Sequence, residues 1–359
     1  MDPAFEYAFP AIRGVQAKRQ FYVSMCPLRL IPRLFLFNEA EMVPELRAQR
    51  QLNKQRLPEI ARYISENRDS YVFSAITASV DADVRFDPHE GSTDLGVLRV
   101  PMDARFIIND GQHRRAAIEM ALLQCPDLGD ESISVVFFLD RGLARCQQMF
   151  ADLNRYAIRP STSLNVLYDQ RDRKARLAKM VVERLPAMKP LVDQERSNLA
   201  KGSKHLLTLS ALFTATNTLL EHHDLGDDEE ETVVAFWSAV LGELEGWRDV
   251  GEGRMTAAVF RSTNLHGQAV ILDAFGRVGN ALVGDSRPWP EKLKGLGQIH
   301  WGRDHPQWQG RAVIGGALSK GRQSVILTAA LIKSKLGIAL GADESRAEEA
   351  LNRGDRAAA

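Results

Sequence analysis

Residues 106–118 read FIINDGQHRRAAI. A short apolar run meets Asp110-Gly111, then Gln112, His113, Arg114 and Arg115, and apolar spacing resumes. A strand that ends in Asp-Gly and opens a helix leaves the first N–H groups of that helix without intrahelical acceptors, and an anion is stabilised there. Gly111 lets backbone approach closely. Gln112, His113 and Arg114 place further donors beside the same amides. Arginine can grip a phosphate through paired hydrogen bonds, and histidine donates in either charge state near pH 7. The same residues admit a purely structural reading. Asp110 caps the helix, Arg115 pairs with Glu119 one turn on, and Gln112 and His113 are ordinary surface groups.

Three other segments concentrate cations. Residues 47–56, RAQRQLNKQR, hold Arg47, Arg50, Lys54 and Arg56 with no acid, and suit a ligand phosphate or duplex DNA. Residues 168–189 carry seven Lys/Arg against three Asp/Glu. On a helix, Arg171, Lys174, Arg176 and Lys179 leave one side basic while Leu177, Ala178, Val181 and Val182 face a core. Such a stripe tracks phosphates and reaches base edges; it is equally a solvated helix face. Residues 300–324 interleave His300, Trp301, Arg303, His305, Trp308 and Arg311, followed by Lys320 and Arg322. Aromatics beside cations suit base or nucleotide stacking, and tryptophans also anchor a packed loop.

Cys26, Cys125 and Cys146 show no CxxC spacing, which argues against a zinc knuckle or a disulfide framework. Cys26, before Pro27 and near Arg29, is either a thiol of lowered pKa with a redox or DNA-contact role or a buried structural thiol. Cys146 falls on the inner stripe of a helix. His222 and His223 are adjacent, His300 and His305 bracket a loop, and no HExxH occurs, so no metal is expected.

These residues need elements to hold them. The stretch from Phe5 to Met25 reads as two short strands around RGVQAKR, the central glycine suiting a hairpin. NKQRLPEIARYISEN reads as a helix, with Leu57, Ile60, Ala61 and Ile64 at helical spacing and Pro58 in the first turn. YVFSAITASV is a buried strand, residues 85–101 a loop or extra hairpin, and ARFIIN a strand. Residues 112–124 form a helix and 132–139 an apolar strand. GLARCQQMFADLNRYA is a helix with Leu143, Cys146, Phe150 and Leu153 inward. Alternating strands and helices predict an α/β (α+β) domain over residues 1–160, and residues 161–359 are predicted mainly α-helical. There, LNVLYDQRDRKARLAKMVVERL reads as one long amphipathic segment and LLTLSALFTATNTLL as another. The acidic run at 224–231 opens a helix, and the polar, Ala-rich end is expected to fray.

With 359 residues, at roughly 100–200 per domain, two domains are expected. Lys+Arg and Asp+Glu are both 46, which excludes a uniformly basic nucleic-acid coat and confines any DNA face to local excess. MDPAFEYAFP lacks the features of a signal peptide. No apolar run approaches the ~18 residues of a membrane span. A cytoplasmic protein with reduced thiols, and no membrane partner, is expected.

DGQHR resembles the signature of the DGQHR-domain family, related to the ParB/sulfiredoxin-like fold. RAQRQLNKQRLPEIARYI is similar to that family's upstream basic helix, with Arg50 and Arg56 as its recurrent cations. MFADLNR is similar to its downstream Phe-x-x-Ile/Leu-Asn element. From FEYAFPAIRG through YVSMCPLRL and YVFSAITASV, nearly the whole chain resembles the DndB family of bacterial DNA phosphorothioation systems. The resemblance implies a ParB-like first domain and a transcriptional regulator of the sulfur-modification operon. Its expected partners are double-stranded promoter DNA, a second copy of itself in a homo-oligomer, and the sulfur-modification proteins. Related folds bind or hydrolyse nucleotide at this region. No Walker A pattern occurs, so a nucleotide, the one cofactor in question, would rest on residues 110–114 with Arg50 or Arg56 and Asn154 converging. Three expectations follow: a DNA-binding regulator, a nucleotide-binding or hydrolysing enzyme of the same system, and a scaffold for the modification enzymes.

Overall fold

In the computed structural model, residues 5–35, 54–141, 145–155, 160–283 and 289–354 are described. Arg50 and Leu143 lie outside them. The chain divides into two compact units, Met1–Ile158 and Arg159–Ala359.

The first unit opens with the strands β1 (Glu6–Gln16) and β2 (Arg19–Pro27), paired antiparallel with Gln16 opposite Arg19. Their loop is Ala17-Lys18, both left-handed at φ 49° and 62°, the two-residue turn whose twist matches the strands. Gly14 does not make the turn, as the central glycine had suggested. It lies within β1, where the Phe21 ring comes to 2.6 Å of the place a Cβ would occupy. A helical turn, Ile31–Leu34, follows β2. Then come α1 (Leu57–Glu66), β3 (Ile76–Asp81), β4 (Arg85–Pro88), β5 (Leu95–Pro101), β6 (Arg105–Asp110), α2 (Gln112–Gln124), β7 (Ser132–Leu139) and α3 (Cys146–Arg155).

The strands form one sheet in the order β4-β5-β1-β2-β7-β3-β6, antiparallel except where β3 runs parallel to β7. Ile76, Ala78, Ser79 and Val80 of β3 are all fully buried. That explains a near-continuous apolar run in place of alternation. Phe137 of β7 meets Phe9 at 5.3 Å and Phe106 at 6.0 Å in the core. Helix α3 buries Cys146, whereas Leu153, expected inward, is 42% exposed.

The second unit is mainly helical: α4 (Thr162–Tyr168), α5 (Arg173–Arg184), α6 (Leu209–Leu219), α7 (Glu229–Glu243), α8 (Glu245–Gly251), α9 (Ala257–Thr263), α10 (Ala269–Val283), α11 (Trp289–Leu293), α12 (Arg322–Lys335) and α13 (Ala342–Asn352). The expected single amphipathic segment is two helices. Asp169 accepts the amides of Arg171 and Asp172 at 2.8 and 2.9 Å, and Asp172 caps α5 by accepting the Lys174 amide at 2.8 Å. Short aspartates compete with the helical ladder in this way.

Helix α10 packs between α6 and α12. The approach to α6 needs glycine, because a Cβ on Gly276 would lie 2.3 Å from the Ala215 carbonyl oxygen. The acidic run opens α7 as expected, with Glu229, Glu230 and Glu231 in its first turn. Residues Ala342–Asn352 near the end of the chain form a helix. Helix α13 buries Glu344, whose carboxylate lies 2.8 Å from the Lys333 ammonium, and Arg277 pairs with Asp343. Among the described residues no helix is long and apolar enough to cross a membrane.

His266 is buried between Phe260 (centroids 4.6 Å apart) and Trp301 (5.1 Å). Burial pushes its imidazole down from 6.5 to about 3. The unfolded chain takes up this proton first, so the stability held by neutral His266 is intact above pH 6.5 and is lost as pH falls from there towards about 3. The loss runs at about 1.4 kcal/mol per pH unit. Replacement His266→Leu is therefore expected to flatten the acid limb of stability against pH. Urea titrations at a series of pH values measure it, and an unchanged slope would show that His266 takes up its proton within the fold.

Candidate functional site

Strand β6 carries the chain into the turn at Asp110, which registers with Thr77 of β3 at a bulge. The fully buried Asn109 donates to Ser79 Oγ at 2.8 Å and pins the end of β6 to β3. Gly111 is the N-cap of α2 at φ +109°, a conformation glycine adopts without a steric penalty. A Cβ there would also sit 3.0 Å from Ile76 and 3.1 Å from the Arg114 guanidinium. No side chain caps α2. The Asp110 carboxylate accepts instead from Arg114 Nη2 at 2.7 Å, which corrects the reading of Asp110 as a cap.

The side chains that follow divide by direction. Gln112 is buried, and its amide donates back to the Ile108 carbonyl at 3.2 Å. Besides Asp110, Arg114 Nη2 donates to the Ala75 carbonyl at 3.0 Å and so ties the entry of β3 to the turn. Arg115 is 7% exposed. It donates from Nε to the Phe35 carbonyl at 2.9 Å, from Nη2 to the Pro32 carbonyl at 3.1 Å, and from Nη1 to Glu119. The Glu119 pair is the one the spacing predicts. The two carbonyls belong to the end of the Ile31–Leu34 turn, where helical C=O groups lack partners of their own.

His113 is half-buried. Burial first, then the positive charges of Arg56 and Arg114, hold its imidazole below the ordinary histidine value against the opposing pull of Asp110. It is a neutral imidazole near pH 7. Arg56 is exposed and enters α1, which packs on α2, so the structure brings Arg56 to His113. Asn154 is exposed on α3, and its amide donates to the Phe150 carbonyl of the same helix at 2.8 Å. Thus Gln112, Arg114 and Arg115 hold the corner together. His113 lies half-buried beside the exposed Arg56, at a helix start that no side chain caps.

A family model described as DndB, DNA-sulfur modification-associated, matches residues 9–339, nearly the whole chain. The chain belongs to the DndB family. Membership places it with DNA sulfur modification. No curated protein and no solved structure matches it.

For a DndB-family chain the cations that could meet DNA matter most, and they fare unequally. On α5, Leu177, Ala178, Val181 and Val182 are buried as the spacing predicts, and Lys174 and Arg176 are exposed, as is Arg171 just before the helix. Lys179 is not on the outer face. Its ammonium donates to the Leu167 and Asp169 carbonyls at 3.2 and 2.5 Å, closing the end of α4. Arg311 is likewise turned inward, paired with both carboxylate oxygens of Glu348 and donating to the Leu327 carbonyl at 3.0 Å. Trp301 and Trp308 stack on each other at 5.3 Å and are buried, which corrects the expectation of base stacking. Arg303 is half-buried, and Lys320 and Arg322 are exposed.

Cys26 is fully buried, and burial pushes its thiol up to about 12. An accessible thiolate is excluded in this fold, and Cys26 is a core residue. Two cations absent from the sequence reading, Lys201 and Arg261, line a cleft together with Arg303 and Lys320. Arg261 stands alone in its segment and Lys201 is followed only by Lys204 and His205, so no run of cations marks them.

Arg115→Met is expected to lower the unfolding free energy by about 1–3 kcal/mol by stranding buried carbonyls. His113→Ala is expected to stay within about 0.5 kcal/mol. Denaturant titration measures both, and a comparable loss in His113→Ala would make His113 a further strut of the corner.

Proposed function

We propose that this DndB-family chain is a DNA-binding transcriptional regulator of the sulfur-modification operon. In this reading it is cytoplasmic, its first unit is ParB-like, and it grips promoter DNA as a homo-oligomer, with the sulfur-modification proteins as further partners. Arg171, Lys174 and Arg176 at the start of α5, with Arg322 at the start of α12, form the DNA face.

The observation that carries the reading is the placement of Lys174 and Arg176. They are exposed in the opening turns of α5, with no acidic side chain in the first turn. Cations at that end of the dipole oppose it by about 0.3–1 kcal/mol each. Their neighbours Arg173 and Arg184 are matched by Glu229 and Glu231. Cations held against the dipole, in a family tied to DNA chemistry, are what a phosphate-tracking surface requires.

A gel-shift salt series tests it. Each phosphate contact contributes a slope of about −0.9 in log K against log salt, so the double variant Lys174→Gln/Arg176→Gln is expected to flatten the slope by about 2. Thermal stability should be unchanged or slightly higher. Absence of any duplex affinity at low salt would refute the reading.

A second reading, nucleotide binding or hydrolysis at the DGQHR corner, is favoured by the uncapped start of α2 beside His113 and Arg56. Phosphate release from ATP is then expected to drop at least about tenfold in His113→Ala. Release equal to that of the unmodified protein would remove this reading.

A further inference from the structure

The second unit contains a cleft of about 370 Å³, within the usual range for small-molecule sites. Four cations line it, Lys201, Arg261, Arg303 and Lys320, and no aspartate or glutamate does. Among the described residues none of the four forms an ion pair. Elsewhere in the unit Arg173, Arg184, Arg277, Arg311 and Lys333 are each matched to a carboxylate, whereas Lys174 and Arg176 of α5 are not. The carboxylate beside the cleft strand is already engaged. Asp193, in register with Thr208, accepts the amides of Glu195 and Arg196 at 3.0 and 2.9 Å and faces His205 at 3.4 Å.

The cations are held in place by neutral groups. Arg261 donates to the carbonyls of Ala200, Lys201, Ser203 and His205. These bonds fold the 200–205 loop around the guanidinium without cancelling its charge. Burial holds that guanidinium below its usual range, the mark of a cation lacking an anion. Arg303 is fixed at both ends: its amide donates to the Thr263 carbonyl at 2.8 Å and its guanidinium to the Gly316 carbonyl at 3.2 Å.

The start of α10 adds to the same field. Gly267, Gln268 and Ala269 line the cleft, and the positive end of a helix favours negative charge. Leu206 and Leu272 supply an apolar wall. Uncompensated positive charge beside an apolar wall matches a ligand with an anionic end and an organic body.

We propose that this cleft binds a small phosphorylated organic molecule of about mononucleotide size, its phosphate between Lys201, Arg303 and Lys320 and its body against Leu206 and Leu272. The site is separate from the DGQHR corner and from the α5 cations, and it does not rest on the DNA reading.

Calorimetric titration of the full chain with adenosine 5′-monophosphate, inorganic phosphate and uncharged adenosine tests it. The monophosphate is expected to bind at least about tenfold more tightly than adenosine, and Lys201→Gln/Lys320→Gln to weaken it at least about tenfold more. Both lysines are exposed, so the variant keeps the fold. Lys174→Gln should leave the affinity unchanged. Equal monophosphate affinity in the double variant would overturn the proposal, placing the binding elsewhere. Absence of binding by any of the three small probes would overturn it too; if duplex affinity then falls in the double variant, the cleft belongs to the DNA backbone. Loss of duplex binding in Lys174→Gln/Arg176→Gln with monophosphate binding intact supports the separation of the two sites.

Discussion

A buried guanidinium organises the first unit. Arg115 leaves water to satisfy the Phe35 and Pro32 carbonyls while pairing with Glu119. A charge taken out of solvent is tolerated only when its hydrogen bonds are met nearly in full. The position of α2 is therefore tied to a turn some eighty residues earlier in the chain. Arg114 makes a second tie, to Asp110 and the start of β3, and Asn109 a third, to β3 itself. The corner is rigid because several polar groups would be stranded together if it opened.

That rigidity reassigns the motif. Within Asp110 to Arg114, the side chains of Asp110, Gln112 and Arg114 are spent on bonds that hold the corner, and His113 lies half-buried beside Arg56. The start of α2, which no side chain caps, and the exposed Arg56 lie beside it. A strongly polar stretch can thus be mostly scaffold, its hydrogen-bonding capacity aimed inward at carbonyls that secondary structure leaves unmatched.

Legibility followed the range of the forces. Helix α2 and strand β7 were readable to the residue, because apolar spacing and the flanking Asp-Gly and Asp-Arg breaks act locally. The Arg115–Glu119 pair was readable for the same reason. What failed depends on distant partners. Lys179 and Arg311 look like surface cations until the carbonyls of α4 and the carboxylate of Glu348 are brought to them. Leu153 looks like core until α3 is seated. Cys26 beside Arg29 looks activated until the sheet closes over it. Lys201 and Arg261 lie some sixty residues apart in the chain and meet only through the loop that Arg261 gathers.

The contact between α6 and α10 has a further consequence. Gly276 lets the backbones touch, and Gly279 admits Leu219 and Phe236 against the same face. Backbone against backbone leaves little compressible side chain between the two helices. Both helices also contribute walls to the cationic cleft, at Ala211 and at Ala269. Its mouth is therefore set by an inelastic joint, and a guest would enter a shape already in place, with little ordering entropy left to lose on arrival.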